Sequence, residues 1–555
     1  MRSKWVGKAL CSFVGTAVLE LVVSTGSPLI MGALASPDDE FVTQEDLKAL
    51  KEEVKTLKDE LKSIKAVKSE EAPAITGNVY SELSRKIKLG GEIRTRFEGL
   101  MNFDFTGSPN DTFSSSEGSF RDITLLRTRL NVDADINDYL RAFLELQDNR
   151  AFGDEDELEG VKSSRNSGTS PSPAALQRGT LGNLGRVDLL QGFVELKSFS
   201  PVSSTLSGLS LLIGRWRMSY GKEHLIGPLD WSNQGRAWDG ARIRWSSKDS
   251  SWIDGFITQI DKDFLTGFPQ ATDRDEVFWG VYGHCTSLKD YGVGEIEPYF
   301  IGRNNANSMA EKRLFGIGGT DITKENRYTA GLRLAGEPPQ LPGLDYEVDG
   351  LIQYGGLNVS GSNFDINQAY AFYAIAGYTV KDMPLTPRFG GGITYATGTS
   401  DSELVNKGEL NTFDQLYPTG HRWLGYMDLV GWQNIIDYMV NLSAKPTKKW
   451  LLKTDLHFFY LEEPADAWYN AGGLAIAAWD GTGSKPNDQL GQELDVVAKY
   501  AFFKNFDVEF GYSHFFQGNF MEDDNVRVIK ADGTFGDKFG NSDADWFYVM
   551  TTLRF

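Results

Sequence analysis

The sequence predicts an all-β fold: a transmembrane, antiparallel up-and-down β-barrel of about 18 strands, preceded by a short N-terminal coiled-coil helix. Three observations predict it. From residue 86 onward, apolar side chains recur at every second position, which is the period of a strand with one greasy face. The connections between these runs alternate short and long, as they do when turns line one rim of a membrane barrel and loops the other. The final run, Phe547, Val549, Thr551, Leu553 and Phe555, also alternates and ends on an aromatic residue. Such an ending resembles the C-terminal signal of bacterial outer-membrane barrels.

Composition agrees. The 555 residues include 59 glycines and 12% aromatics, and beyond the N-terminus no clean apolar run reaches the length a membrane helix needs, about 18 residues. A formal charge of −20 argues against nucleic acid, whose phosphates call for a basic surface.

The N-terminal region reads as three segments before the barrel. Residues 1–35 look like a secretory signal peptide: Arg2, Lys4 and Lys8, then the largely apolar stretch 9–31 (interrupted by Glu20), then Ala33-Leu34-Ala35. Cleavage after Ala35 would remove Cys11 and leave Cys285 as the only cysteine, so no internal disulfide is expected. Within 36–68, Leu47, Leu50, Val54, Leu57, Leu61 and Ile64 alternate spacings of three and four, the seam of a coiled coil. Thr43 and Asp46 resemble a capping box at its start. This helix would serve as an oligomerising stalk, a tether to a periplasmic or cell-wall partner, or an amphipathic helix lying on its own barrel. Residues 69–84, with Pro73 and Gly77, form a linker, and 85–555 form the barrel.

Eighteen candidate strands follow. The first three centre on 86–98, 126–134 and 140–147; the rest are 186–197, 208–218, 238–246, 252–261, 275–286, 295–304, 326–335, 343–355, 367–379, 387–397, 434–445, 450–461, 491–502, 506–516 and 546–555. Short links include Asn137-Asp138 and Ser247–Ser250; long ones include 151–185, 219–236, 398–433 and 462–490.

Charged residues occupy one face of these strands. An Arg or Lys facing lipid at the midplane costs about 2–4 kcal/mol, so that face belongs to the lumen. Eighteen strands enclose too wide a space for wall side chains to fill, so the lumen is expected to be an aqueous channel unless loops seal it. Its charge is asymmetric. The first six strands carry Arg94, Arg96, Arg127, Arg129, Arg141, Arg215, Arg217, Arg242 and Arg244, whereas later strands carry Glu295, Glu297, Asp345, Glu347, Asp349, Asp455, Glu493, Asp495, Asp507 and Glu509. Consecutive strands are neighbours, so the arginines form one wall. A guanidinium binds carboxylates at two points, which suits an anionic solute; the same charges could equally pair across strands and hold water.

Several stretches resemble the alginate-export family of outer-membrane barrels. They are Gly90-Gly-Glu-Ile-Arg-Thr-Arg-Phe97, Leu146-Gln-Asp-Asn-Arg-Ala-Phe152, Ile213-Gly-Arg-Trp-Arg-Met-Ser-Tyr-Gly221 and Arg236-Ala-Trp-Asp-Gly-Ala-Arg242. Further on come Phe413-Asp-Gln-Leu-Tyr-Pro-Thr-Gly-His421, Gly491-Gln-Glu-Leu-Asp495 and Gly511-Tyr-Ser-His-Phe-Phe516. The resemblance implies an eighteen-stranded monomeric barrel with a positively charged constriction that conducts a polyuronate. It implies that Arg215 and Arg217 line the lumen, with Arg94, Arg96, Arg129 and Arg242, and that Asp239 partners an arginine. The coiled-coil extension and the heavily acidic later wall depart from that pattern.

No enzymatic constellation can be read from spacing. His457 is expected in the lumen near Asp455, and His514 on the outer face or rim. No cofactor is expected. The loop acids 154–157 and 522–524 offer oxygens of the kind Ca²⁺ takes, without the regular twelve-residue loop pattern. Trp216, Trp245, Trp279 and Tyr282 suit aromatic girdles at the lipid interface. The sequence therefore points to a bacterial outer-membrane channel for anionic oligo- or polysaccharides or smaller anions. The alternatives are a general porin for small polar solutes and a cell-wall-tethering barrel plugged by its loops 151–185 and 398–433.

Overall fold

A computed structural model describes residues 86–102, 120–153, 187–260, 276–286, 289–305, 322–359, 362–529, 535–540 and 542–555. The stretches expected to be a signal peptide, a coiled coil and a linker, most of 151–185 and the acids 154–157 lie outside them.

All eighteen expected strands are present. They are β1 (Ile87–Met101), β2 (Phe120–Asp135), β3 (Leu140–Gly153), β4 (Val187–Leu196), β5 (Leu209–Trp216) and β6 (Trp238–Ser246). Next come β7 (Trp252–Ile260), β8 (Glu276–His284), β9 (Glu295–Asn305), β10 (Ile322–Gly336), β11 (Leu344–Val359) and β12 (Ser362–Thr379). The circuit continues through β13 (Arg388–Ala396), β14 (Ile435–Ala444) and β15 (Trp450–Tyr460). Two short strands, β16 (Ala467–Tyr469) and β17 (Ala475–Trp479), precede β18 (Gln489–Phe503) and β19 (Phe506–Gln517). After β20 (Val526–Val528), β21 (Ala544–Arg554) pairs antiparallel with β1, from Glu92↔Arg554 to Met101↔Asp545. That pairing closes the sheet and leaves no edge with unsatisfied backbone groups, which is the condition for strands to cross a bilayer. The final Phe555 extends the seam: its N–H and C=O both bond Gly91.

The alternation sets the two faces. Ile93, Leu130, Val194, Ile213, Ile243, Ile257 and Val281 are exposed on the outer face, while Arg94, Arg127, Arg129, Glu145 and Asp254 are buried on the inner one. Short turns and both ends of the barrel domain share one rim, the periplasmic side in barrels of this class. At the opposite rim the connections are long, with one exception: β11 and β12 run on until only residues 360–361 separate them. On that rim β16, β17 and β20 form a separate three-stranded sheet. Inside the wall, Tyr548 packs over Gly511, where a Cβ would stand 1.9 Å from the ring.

Two expectations about the aromatic girdles are corrected. Trp245 is half-exposed on the outer face, but Trp216 and Tyr282 are buried in the interior cluster. The reason is parity: Trp216 pairs with the inward Trp238, and Tyr282 shares the inward face of β8 with Phe278. Their apolar surface is covered by loops that fold into the lumen, which wall periodicity cannot register.

The face assignment makes a direct prediction. Ile257→Arg, central on the outer face of β7, should lower unfolding free energy by about 2–4 kcal/mol in urea titrations from lipid vesicles. Unchanged stability would mean the two faces are swapped.

Candidate functional site: two loops held across the lumen

The 217–237 loop, between β5 and β6, folds inward and lies on the arginines of β1 and β2. Arg94 and Arg127 are directly opposite each other in the ladder. Like charges in that position repel unless something acidic lies between them. Here both guanidinium groups donate to the same two loop carbonyls, Asp230 at 2.8 Å and Ser232 at 2.9 Å. Arg127 also donates to Glu92. Arg96, almost fully buried, donates to Glu98 and to the Trp231 carbonyl, both at 2.7 Å, and its guanidinium lies 4.1 Å from the Trp231 ring.

The side chain of Asp230 completes the cluster. Arg129 Nη1 donates to it at 2.8 Å and Arg217 grips its other oxygen. Burial alone would raise this carboxyl's pKa, but Arg217, Arg129 and Arg127 outweigh burial and hold it well below the usual carboxylate range. The carboxylate nevertheless keeps about half of its side-chain surface open, 51%.

The 397–434 loop, between β13 and β14, enters from the other side and is held mainly by acids and amides. Asp414 receives Arg303 of β9 at 2.7 and 3.2 Å, and its backbone exchanges two hydrogen bonds with Gln353 of β11. On β18, Glu493 accepts the Met427 N–H at 2.8 Å and Asp495 the Tyr426 N–H at 3.4 Å. Gly425 suits this approach: its φ is +88°, and a Cβ there would meet the Glu493 carboxylate at 2.5 Å.

The two loops join to each other. Ile226 and Tyr417 form a parallel bridge, with Gly227 N–H donating to Tyr417 O and Tyr417 N–H to Leu225 O, both 2.9 Å. Arg236 donates to the carbonyls of Gly227 and Pro418. His421 stacks on Trp231, centroids 3.7 Å apart and planes 6° apart, and its Nδ1 lies 3.1 Å from Asp428. His224 is buried against Tyr373 and Trp423. A chain of contacts thus runs from β1 and β2, through both loops, to β9, β11 and β18.

The expected site residues separate into three groups. Arg94, Arg96, Arg127 and Arg129 converge on the 217–237 loop, whose own Arg217 joins them at Asp230. Arg141, Arg242 and Arg244 also face inward, towards the periplasmic rim. There Arg141 pairs with Asp133 and Glu195, Arg242 with Glu195, and Arg244 with Asp254 at 2.6 and 2.7 Å. The third group is a correction. Arg215 and Asp239 do pair, in two-point fashion at 2.8 Å, but they share the outer face with Ile213. Leu212 and Trp216 take the inward positions of β5, so Arg215 falls outside; mutual neutralisation makes that placement tolerable. Arg217 escapes the same fate because β5 ends at Trp216 and the chain turns inward. Asp414 and His421 fall in the stretch Phe413–His421 that carries the family resemblance, without an assigned role; Asp230 and Trp231 have no such mark, since loop residues carry no periodic signal.

The histidines fall where expected, although His457 bonds Asp437, at 2.9 Å, rather than Asp455; His514 meets Asp545 on the outer rim. Of the loop acids 522–524, Asp524 pairs with Lys538. Among the described residues no three His, Cys, Asp or Glu side chains are arranged to hold a metal ion.

A closed antiparallel barrel of eighteen strands, with a charged interior and a lipid-facing apolar belt, defines an outer-membrane channel protein. More narrowly, the chain belongs to the alginate-export family, whose model matches residues 85–533. Solved structures with a similar fold include a BenF-like porin from Pseudomonas fluorescens Pf-5, with 10% identity, a TM-score of 0.49, and coverage of 85% of this chain and 99% of that one. Pseudomonas aeruginosa OpdK with vanillate aligns at 9% identity and TM-score 0.48, over 85% and 99% of the two chains. Pseudomonas aeruginosa OpdQ aligns at 11% identity and TM-score 0.47, over 84% and 97%. No curated protein matches the chain.

Two outcomes are expected. Trp231→Ala removes the ring shared by Arg96 and His421, and should cost roughly 3 kcal/mol of unfolding free energy while raising single-channel conductance. No change in either would mean that the stack does not hold the loops. Because the Asp230 carboxyl is depressed, its contribution is present above the ordinary aspartate pKa of about 3.9. It is lost only as pH falls through the lower native value. The difference in stability between the wild type and Asp230→Asn should therefore persist at pH about 4; its disappearance there would indicate an ordinary carboxyl.

Proposed function

We propose that the protein is a passive outer-membrane channel for anionic, carboxylate-bearing solutes, such as an alginate-like polyuronate or smaller carboxylates, with no catalytic role. The observation that carries this reading is the cluster of Arg94, Arg96, Arg127, Arg129 and Arg217 around residues 230–232 inside the barrel. Guanidinium groups so placed hold a carboxylate at two points, and in a narrowed lumen they act with little screening by water. Membership of an export family supports the reading without naming the solute. Two features favour a second reading, in which the resting channel is closed: the backbone bridge between the loops and the His421–Trp231 stack. The two readings combine if the loops are a gate.

Reconstitution in a planar bilayer under a salt gradient tests this. The expected result is measurable conductance with a reversal potential favouring anions, and the double variant Arg129→Gln with Arg217→Gln should reduce that preference at least severalfold. Cation preference in the wild type would overturn the anion reading. A silent membrane would leave the closed barrel standing.

A further inference from the structure

Asp230 does more than neutralise its neighbours. Resting on the anionic-solute reading above, we infer that the Asp230 carboxylate is a tethered competitor: it occupies the carboxylate site of the arginine cluster, and a solute carboxylate must displace it to bind.

Four observations lead there. First, Asp230 is the only carboxylate that hydrogen-bonds Arg129 or Arg217 among the described residues, so its departure vacates two guanidinium groups together. Second, the cluster has more donors than Asp230 uses. Arg129 Nη2 and Arg217 Nε are buried without a partner, and a buried donor left unmatched costs free energy that a larger or second acceptor would recover. Third, the backbone at Asp230 is anchored separately from its side chain. Arg94 and Arg127 hold the carbonyls of Asp230 and Ser232, and Arg96 holds that of Trp231. The side chain can therefore swing away by rotation about its own bonds while the loop stays seated. Fourth, about half of the side chain is open (51%), in contrast to the arginines that hold it, which are 5% and 18% open. An incoming anion reaches the aspartate before it reaches the guanidinium groups.

The consequence is a site whose affinity is set by an internal rival. A tethered carboxylate presents a high effective concentration, and the apparent affinity of an external one falls by the fraction of time the site is vacant. Such a site passes carboxylates without trapping them, which a conduit requires and an unopposed arginine cluster would not provide. Neutral solutes cannot displace Asp230 and gain nothing from its removal.

The test uses the reconstituted full barrel and sodium glucuronate as the probe, with glucose as the neutral control. The concentration at which glucuronate half-blocks the chloride current is measured for the wild type, Asp230→Asn, Asp230→Ser and Asp230→Glu. Removing the carboxylate in either of two ways should lower that concentration on the order of tenfold or more. Asp230→Glu, which keeps a carboxylate one methylene further out, should stay close to the wild type, and glucose should not respond to any variant. Equal or weaker glucuronate block in both Asp230→Asn and Asp230→Ser would overturn the competitor role. That outcome in an anion-selective wild type sinks this inference alone. A cation-selective wild type sinks the anion reading beneath it, whatever the variants do.

Discussion

The contact on which the interior depends is that between the guanidinium groups of β1 and β2 and the backbone of residues 230–232. Arg94 and Arg127 face each other across the ladder with like charge, and neither could stay buried without acceptors. The carbonyls of Asp230 and Ser232 supply them. In return, four arginines fix a loop that would otherwise hang over an open lumen. Each partner is costly to leave alone in a low-dielectric interior, which is why the arrangement is specific.

The acidic wall follows the same logic with the signs reversed. Where the basic wall receives loop carbonyls and a loop carboxylate, the acidic wall receives loop N–H groups: Met427 and Tyr426 donate to Glu493 and Asp495. The asymmetry of charge around the barrel thus has a structural meaning in addition to any effect on solutes. The basic wall meets acceptors of one loop, and Glu493 and Asp495 meet donors of the second, whose Asp414 is in turn held by Arg303. Where the loops meet, charge gives way to aromatic surface, with Trp231 and His421 stacked and Trp238, Tyr417 and Phe278 packed edge to face.

Much of this was legible from residue order. The period-two pattern located all eighteen barrel strands, and it put Arg94, Arg96, Arg127, Arg129, Arg242 and Arg244 on the inward face, as found. Arg215 departs from expectation because sequence places it with Arg217 on one lumen face, whereas in the fold it keeps company with Ile213, where its two-point pairing with Asp239 offsets its charge. Trp216 and Tyr282 were misplaced for a related reason. An aromatic residue on a membrane strand suits the lipid interface equally well as an interior packed by loops, and only the loops distinguish the two.

The sequence by itself determined the wall in outline: which residues cross the bilayer, which face most of them present, and that base predominates on one side of the interior and acid on the other. Strand alternation is a local rule, enforced by lipid on one side at every position, so it is written into the residues in order. Tertiary structure alone decided what that charge meets. Asp230 lies 101 residues from Arg129 along the chain, and Asp414 lies 111 from Arg303. Contacts of that span carry no periodicity and depend on the closed circumference of the barrel to bring the loops inward. The arginines of β1 and β2 were always going to face the lumen; that they would find a carboxylate already there is a property of the folded chain.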